Sequence, residues 1–236
     1  MLQILQKDEG LFSFVKHMQR NERFKSPMLL SDAQYRSNLI NALLNPDDLV
    51  LGCFDQSGSL TGVFSFYIEP AEKYIECLVS LSQKETDYTE VLSYLSKTYQ
   101  GYCLDCICNP QNVCLLDTLL ISGAKLDAEQ LKMRITGHTT YNTDSRAIEL
   151  TSEFESTYRK LHTKDTYWSA EKVLNASNIF QVYTFIQENK AVGYIDVAFC
   201  KTFYELYDWY VIPEYRNHGF GTALLQKVIA DRPLKQ

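Results

Sequence analysis

The spacing of apolar residues divides the chain into segments with a helical period and segments with a strand-like period. A helical period covers residues 32–45, where Ser31 and Gln34 have the spacing of a capping box and Pro46 ends the helix. Strand-like segments are found at 49–55, 60–68, 73–81 and 102–108, and helix-like segments at 89–99 and 112–124. Gly123 marks the end of the last of these helices. The first half is therefore predicted to form an α/β unit.

A polar stretch at 137–145 interrupts the pattern, which then begins again in a similar order. Ser152 and Glu155 have capping-box spacing and predict a helix over 153–162. The other predicted elements are helices at 169–176 and 222–230 and strands at 147–150, 180–187, 191–199 and 204–212. The sequence thus predicts two similar α/β units, residues 1–137 and residues 138–236.

Composition and charge exclude several classes of protein. Of the 236 residues, 45% are hydrophobic, which is enough to bury a core and unlike a disordered chain. The net charge of −6 and the lack of a long basic block argue against a nucleic-acid partner. Charged residues interrupt the first positions, and no apolar run approaches about 18 residues, so we expect no signal peptide and no membrane helix. A cytoplasmic location is the expectation.

The cysteines do not form a convincing metal site. Cys103, Cys106 and Cys108 are clustered, but zinc requires further cysteine or histidine ligands at fixed spacing, and the histidines are isolated from one another. We expect buried thiols in a strand and no bound metal.

The segment between the last strand and the last helix carries the clearest chemical signal. Gly219 and Gly221 allow a tight turn and leave backbone N–H groups accessible to a ligand. The helix that follows directs unpaired N–H groups and the positive end of its dipole to the same point. Because Arg216 and His218 add positive charge, the segment has the features of a phosphate site. A turn that needs glycines for its geometry alone is the simpler alternative.

A longer pattern favours the phosphate site. The stretch Val-x-Pro-x-Tyr-Arg-x-x-Gly-x-Gly-x-Ala-Leu-Leu resembles the acyl-CoA-binding signature of the GNAT N-acetyltransferase superfamily, and residues 147–231 follow the order of elements in that family. The matching residues are Val211, Pro213, Tyr215, Arg216, Gly219, Gly221, Ala223, Leu224 and Leu225. The stretch lacks the third glycine of a Rossmann fingerprint and the Gly-Lys-Ser/Thr ending of a P-loop. The resemblance implies an α/β (α+β) fold of two GNAT-like units, each a mixed, mostly antiparallel sheet flanked by helices.

The resemblance also implies the reaction and its co-substrate. We expect an acyl-CoA-dependent N-acyltransferase that takes the acyl group from acetyl-CoA and transfers it to a small-molecule amine. The residues expected along the pantetheine arm are Tyr210, Val211, Ile212 and Pro213. Those expected around the pyrophosphate are Arg216, Asn217, His218, Gly219, Phe220, Gly221 and Thr222.

The same family pattern suggests which groups carry the chemistry. A carboxylate on the strand before the loop often accepts the amine proton, and the matching position is Glu205, which we expect to be buried among aromatic residues. Asp208, expected on the opposite face of the strand, is the alternative base. A backbone N–H of Val211 or Ile212 is expected to bind the oxyanion. If Glu205 merely lies on a sheet surface, it has no catalytic role.

The chain departs from the family pattern in two places, and the first of these, the missing C-terminal elements, favours a different function. The chain ends at Gln236, so we expect the second unit to be short at its C-terminus, with an aromatic strand edge that the first unit or a second copy, as a homodimer, would cover. In the first half, residues 80–88 replace the phosphate loop without any glycine, and Glu85 and Asp87 would repel phosphate. The first unit is therefore expected to bind no cofactor. The alternative function is a non-catalytic CoA-binding or interaction module derived from an acetyltransferase.

Overall fold

The structure is a computed structural model of the chain. It describes residues 1–8, 10–26, 32–127, 142–164, 166–199 and 204–231, with the backbone alone for 32–34. The chain divides into two compact units, Met1–Met133 and Arg134–Gln236. The boundary predicted after residue 137 lies outside the described residues and stays a prediction.

The first unit contains a five-stranded sheet in the order β1-β2-β3-β4-β5, in which β5 is parallel to β4 and the other pairs are antiparallel. Its strands are β1 (Leu2–Ile4), β2 (Leu49–Phe54), β3 (Leu60–Glu69), β4 (Tyr74–Ser82) and β5 (Cys103–Cys106). Its helices are α1 (Leu11–Met18), α2 (Asp32–Leu44), α3 (Glu85–Thr98) and α4 (Val113–Ile121), with a short 3-10 helix at Glu22–Phe24. Apolar residues of α1 and α2 pack on one face of the sheet, and those of α3 and α4 on the other.

The second unit contains a four-stranded antiparallel sheet in the order β6-β7-β8-β9. Its strands are β6 (Ala147–Glu149), β7 (Phe180–Gln187), β8 (Lys190–Phe199) and β9 (Tyr204–Val211), and its helices are α5 (Glu155–Leu161), α6 (Ala170–Asn175) and α7 (Phe220–Asp231). Leu224 and Val228 of α7 pack on one face, against Ile195 and Val197 of β8. Helices α5 and α6 pack on the other face. The strand β9 is the last strand of this sheet, next to the loop that leads into α7.

The predicted fold class is confirmed, because both units are sheets flanked by helices and all but one of the strand pairs are antiparallel. The repeat is also present in the register. Gly62 pairs with Ser82 at the end of β4, and Gly193 pairs with Val211 at the end of β9. The backbone of Gly123 has a φ of 92°, as expected for a glycine that ends a helix.

Several details differ from the sequence prediction. The elements β1 and α1 had not been predicted, and α7 begins two residues early, at Phe220. Ser152 does not cap α5, because a turn separates it from a helix that begins at Glu155 without a side-chain cap. Cys103 is exposed, although it was expected to be buried. None of the described helices combines the length and apolar composition needed to span a membrane.

Candidate active site

The chain leaves β9 through a tight loop that leads directly into α7. A 3-10 helix covers Pro213–Tyr215, and the backbone of Asn217 and Gly219 then has positive φ angles of 62° and 83°. Glycine adopts this conformation easily, and asparagine more readily than most residues. A Cβ atom at Gly219 would have no neighbour within 4 Å. The backbone conformation therefore favours a glycine here, and the space beside it is open to a ligand.

The loop and the first turn of α7 present a series of backbone N–H groups. No backbone carbonyl of the described residues accepts a hydrogen bond from the N–H groups of 217–222, whereas the N–H of Ala223 donates to the carbonyl of Gly219 at 2.9 Å. Unpaired N–H groups and the dipole of the helix attract anions to such a terminus. This geometry fits the pyrophosphate of coenzyme A.

Side-chain contacts hold the loop against β9. Arg216 donates from Nε to the carbonyl of Val211 at 2.9 Å, and its guanidinium carbon lies 5.5 Å from the centre of the Tyr210 ring. Gly221 lies against the indole of Trp209, where a Cβ atom would be 3.2 Å from a ring carbon. Gly221 is therefore needed for close packing, and Arg216 braces the loop, a role that the sequence did not reveal.

The outer edge of β9 offers the backbone N–H group of Val211 for an oxyanion. The N–H of Ile212 donates to the carbonyl of Val192 at 3.0 Å, so it faces β8. Because N–H groups alternate between the two sides of an antiparallel strand, the N–H of Val211 points to the outer edge. Its carbonyl, which Arg216 contacts, points the same way. Of the two alternative oxyanion donors, Ile212 is excluded because its N–H belongs to the sheet, and the role of Val211 stays a prediction.

A β-bulge brings both candidate carboxylates to one face of β9. A register shift after Asp196 leaves Tyr207 as an extra residue of β9. Asp196 pairs with Asp208, and Ala198, two residues further along β8, pairs with Glu205. Residues two apart on a strand share a face, so Glu205 and Asp208 do as well. The prediction that Asp208 faces the opposite side was wrong because the bulge adds one residue to the alternation.

The aromatic residues around Glu205 enclose it only in part. Glu205 is half-buried, and Tyr207 and Trp209 are 43% and 41% exposed. Trp209 lies on the other face of the strand, against Gly221 of α7. The expected burial of Glu205 among aromatic rings is therefore incomplete.

Asp208 is fixed by hydrogen bonds to both of its carboxylate oxygens. The hydroxyl of Tyr194 donates to Oδ2 at 2.5 Å, and the N–H of Trp209 donates to Oδ1 at 2.8 Å. The oxygen of Tyr194 in turn accepts a hydrogen bond from the N–H of Thr163 at 2.9 Å. The Asp208 side chain is nevertheless 20% exposed. It is thus both held in one orientation and accessible to a ligand.

Behind Asp208 lies a buried pair, His162 and Asp196, whose side chains are 2% and 0% exposed. His162 Nε2 lies 3.0 Å from Asp196 Oδ2 and 3.9 Å from Asp208 Oδ2. His162 Nδ1 lies 2.9 Å from the carbonyl oxygen of Thr163. Tyr158 donates to both oxygens of Asp196, at 3.0 and 3.1 Å. Both imidazole nitrogens face acceptors, so the geometry fits a doubly protonated His162 beside an ionised Asp196.

The environment supports this protonation state. Burial lowers the pKa of His162, but hydrogen bonds to Asp196 and to the Thr163 carbonyl, with the charges of Asp196 and Asp208, raise it by more. Burial raises the pKa of Asp196 against the opposing hydrogen bonds from His162 and Tyr158. Because these donors all point at the Asp196 carboxylate, we assign the proton to His162. Burial also raises the pKa of Tyr158 and of Tyr194, so both hydroxyls keep their protons.

A metal site is an alternative interpretation of this cluster. One potential ligand atom each of His162, Asp196 and Asp208 lies within 4.8 Å of the other two. Bonds from zinc to nitrogen or oxygen are about 2.0–2.2 Å long, and the ligand atoms must be free to point at the ion. Here a hydrogen bond of 3.0 Å joins Nε2 of His162 to Oδ2 of Asp196. Tyrosine hydroxyls also donate hydrogen bonds to the carboxylates of Asp196 and Asp208. We therefore assign a hydrogen-bonded network.

The charge of His162 makes the stability of the second unit depend on pH. Its folded pKa lies above the ordinary value of 6.5, so its contribution is complete below about pH 6.5 and is lost as the pH rises through the folded pKa. We expect the free energy of unfolding, measured by urea denaturation, to fall over that range. His162→Gln should remove this fall and should cost about 3–5 kcal/mol at pH 6, because Asp196 loses its buried cation. The same pH dependence in both proteins would contradict a charged His162.

In the first unit, a carboxylate occupies the position that corresponds to the phosphate site. Asp87 lies in the first turn of α3 and is buried. It accepts hydrogen bonds from the hydroxyls of Ser82 at 2.6 Å and Thr61 at 2.9 Å. A negative charge built into a helix N-terminus repels a further anion. This observation supports a cofactor-free first unit, which stays a prediction.

Comparison with known proteins agrees with this architecture. Residues 147–232 match the model of the Acetyltransferase (GNAT) family. A GCN5-related N-acetyltransferase from Sphaerobacter thermophilus has a similar structure, with 9% identity, a TM-score of 0.60, and coverage of 98% of this chain and 81% of that chain. The tandem GNAT protein from the clavulanic acid biosynthesis pathway also has a similar structure, with 11% identity and a TM-score of 0.51. The alignment covers 98% of this chain and 86% of that chain.

A third similar structure is the glucosamine N-acetyltransferase region of a fungal multi-domain β-N-acetylglucosaminidase, with 9% identity and a TM-score of 0.58. The alignment covers 96% of this chain and 33% of the fungal chain. No curated protein sequence matches the chain. Residues 147–232, most of the second unit, are thus similar to the GNAT family. Over nearly the whole chain, the fold is that of GNAT acetyltransferases, including one with tandem units.

Proposed function

We propose that the chain is an acyl-CoA-dependent N-acyltransferase that uses acetyl-CoA and acetylates a small-molecule amine. The observation that carries the proposal is the loop before α7, where the N–H groups of 217–222 have no described backbone acceptor and a Cβ atom at Gly219 would have no neighbour within 4 Å. The groups proposed to hold the pyrophosphate are the backbone N–H groups of Asn217, His218, Gly219, Phe220, Gly221 and Thr222. Arg216 keeps them in place through its hydrogen bond to Val211.

The edge of β9 completes the acyl-CoA site in this proposal. Residues Tyr210 to Pro213 would lie along the pantetheine arm, and the outward N–H of Val211 would stabilise the oxyanion that forms when the amine attacks. Bound acetyl-CoA would supply the acetyl group as an activated thioester: as the amine nitrogen bonds to the carbonyl carbon, the carbon–sulfur bond would break and CoA would leave as a thiolate, which takes up a proton to give the free thiol. The protein's own contribution is to orient this group, to accept a proton from the amine, and to stabilise the developing negative charge.

The geometry favours Asp208 as the carboxylate that meets the acceptor amine. A strand rises about 3.3 Å per residue, so the Cα of Asp208 lies about 10 Å along β9 from that of Val211 and the Cα of Glu205 roughly 20 Å away, which makes Asp208 the nearer of the two carboxylates. A general base must reach the proton directly or through one water molecule. An ammonium with a pKa near 10.4 costs about 4–5 kcal/mol to deprotonate at pH 7. Asp208 is proposed to accept that proton, and Glu205 is the second candidate.

One observation favours the non-catalytic alternative. The strand β9 lies at the edge of the described sheet and exposes more than two-fifths of Tyr207 and of Trp209, an edge that another molecule could cover. A CoA-binding interaction module would keep the loop but would transfer no acetyl group. The two functions are separated by incubating the protein with acetyl-CoA and pooled primary amines and measuring the free thiol of CoA.

A further inference from the structure

The orientation of Asp208 is determined by a hydroxyl group behind it. The N–H of Thr163 donates to the oxygen of Tyr194 at 2.9 Å, so the phenolic proton of Tyr194 is available for another acceptor. That acceptor is Oδ2 of Asp208, at 2.5 Å. Because the ring of Tyr194 is fully buried, the hydroxyl cannot follow the carboxylate if it moves. Tyr194 therefore fixes the position of Asp208 from the interior of the protein.

The charge of Asp208 is balanced by a buried cation. His162 Nε2 lies 3.9 Å from Asp208 Oδ2, and its ring is stacked on that of Tyr194 with the centroids 5.4 Å apart. The titratable groups that face His162 are Asp196 and Tyr194 on β8, Asp208 on β9 and Tyr158 on α5. Asp196 and Asp208 are direct partners across the two strands and would repel each other without the imidazolium. His162 thus permits two carboxylates to lie side by side.

We propose that His162 and Tyr194 are positioning residues for acyl transfer: together they hold the carboxylate of Asp208 on the face of β9 where the acceptor amine binds. This inference rests on the acyltransferase function proposed above. The ammonium of the acceptor then binds to an anion of fixed orientation, so less entropy is lost when the reactive geometry forms. Neither residue contacts the acceptor itself.

The chain offers a matched pair of variants to test the role of Tyr194. Tyr194 and Tyr158 are 0% and 1% exposed, and each donates a hydrogen bond to a carboxylate, but only Tyr194 contacts Asp208. Tyr194→Phe should lower kcat for amine acetylation by about 10- to 100-fold, with KM for acetyl-CoA unchanged. Tyr158→Phe should stay within about threefold of the wild type. Equal losses in both variants, or no loss in Tyr194→Phe, would overturn the proposal.

A second experiment tests the coupling without any acetyl transfer. Nitrogen NMR of the imidazole side chains follows the titration of His162, whose signals are assigned by their absence in His162→Gln. Asp208→Asn should lower the pKa of His162, because it removes a negative charge 3.9 Å from Nε2. Glu205→Gln, which alters the other carboxylate on the same face, should leave that titration unchanged.

The two results separate this inference from the function on which it rests. A wild-type protein that acetylates no amine would refute the proposed acyltransferase, and the positioning role for acyl transfer with it. The coupling of His162 to Asp208 is judged by the titration alone. A titration of His162 that is unchanged in Asp208→Asn overturns the inference even in an active enzyme, and a selective shift in that variant supports it.

Discussion

Gly219→Asp is expected to abolish acetyl-CoA binding while the protein remains folded. The new carboxylate would enter the open space beside Gly219, where the N–H groups of 217–222 are proposed to hold the pyrophosphate. Two like charges about 4 Å apart repel by about 4 kcal/mol near a protein surface, which raises Kd roughly 1,000-fold. Isothermal titration calorimetry measures the loss, and circular dichroism confirms the fold.

Gly219→Asn is the matched control for this variant. Both side chains have the same shape, and both tolerate the φ of 83° better than most residues do. The asparagine variant adds bulk without charge and should weaken binding much less than the aspartate variant. The wild-type titration should show one acetyl-CoA per chain, because Asp87 occupies the corresponding helix terminus of the first unit. A folded Gly219→Asp protein of wild-type affinity, or a second site per chain, would refute the assignment.

Asp208→Asn is expected to reduce turnover by roughly 10²–10⁴, the usual range for loss of a general base, with acetyl-CoA affinity within a few-fold of the wild type. The amide keeps an oxygen for the Tyr194 hydroxyl but cannot accept the amine proton. The loss should become smaller at high pH, where the amine deprotonates by itself. Steady-state rates with varied amine across a pH series give the comparison.

Glu205→Gln decides between the two carboxylates on this face. Since Glu205 lies farther from Val211 along β9, its loss is expected to cost less than about tenfold. If Glu205→Gln instead shows the larger loss, the proton acceptor is Glu205, as the family resemblance first suggested. If both variants keep wild-type turnover at pH 7, solvent accepts the proton and neither carboxylate is the base.

The loop was predictable from sequence because its function depends on backbone geometry. Glycine best suits the φ of 83° at position 219 and the close contact of position 221 with Trp209, so the two positions are visible in the sequence. Apart from β1 and α1, the order of strands and helices was also predictable, because each of the other elements has a regular apolar period. Because the glycines mark the loop and the apolar period marks α7, the sequence also places Asn217 to Thr222 at the N-terminus of that helix.

The relation between Glu205 and Asp208 was not predictable in the same way. Strict alternation along β9 places residues three apart on opposite faces, and only the extra residue Tyr207 brings both acids to one face. No side-chain pattern in "YELYDWYVI" marks the bulge. Its position depends on how β9 pairs with β8, which is a property of the tertiary structure.

The buried network was overlooked because its members are far apart in sequence. The sequence showed only that the histidines are isolated from one another, whereas in the structure His162 lies 3.0 Å from Asp196 on β8. One signal was present: Asp196 is the single charged residue within the apolar run "AVGYIDVAF". A buried carboxylate needs partners. The sequence could therefore have predicted a cation or hydroxyl donors near Asp196, although not which ones.

The most direct test of the proposed function is to detect the acetylated amine itself. Purified protein is incubated with acetyl-CoA and pools of primary amines, and mass spectrometry identifies the product while a thiol assay measures released CoA. The account predicts that CoA release depends on an amine, equals the amount of acetylated product, and disappears in Gly219→Asp. If acetyl-CoA binds at one site per chain but no amine is acetylated and no amine-dependent CoA is released, the chain is a CoA-binding module and not an enzyme.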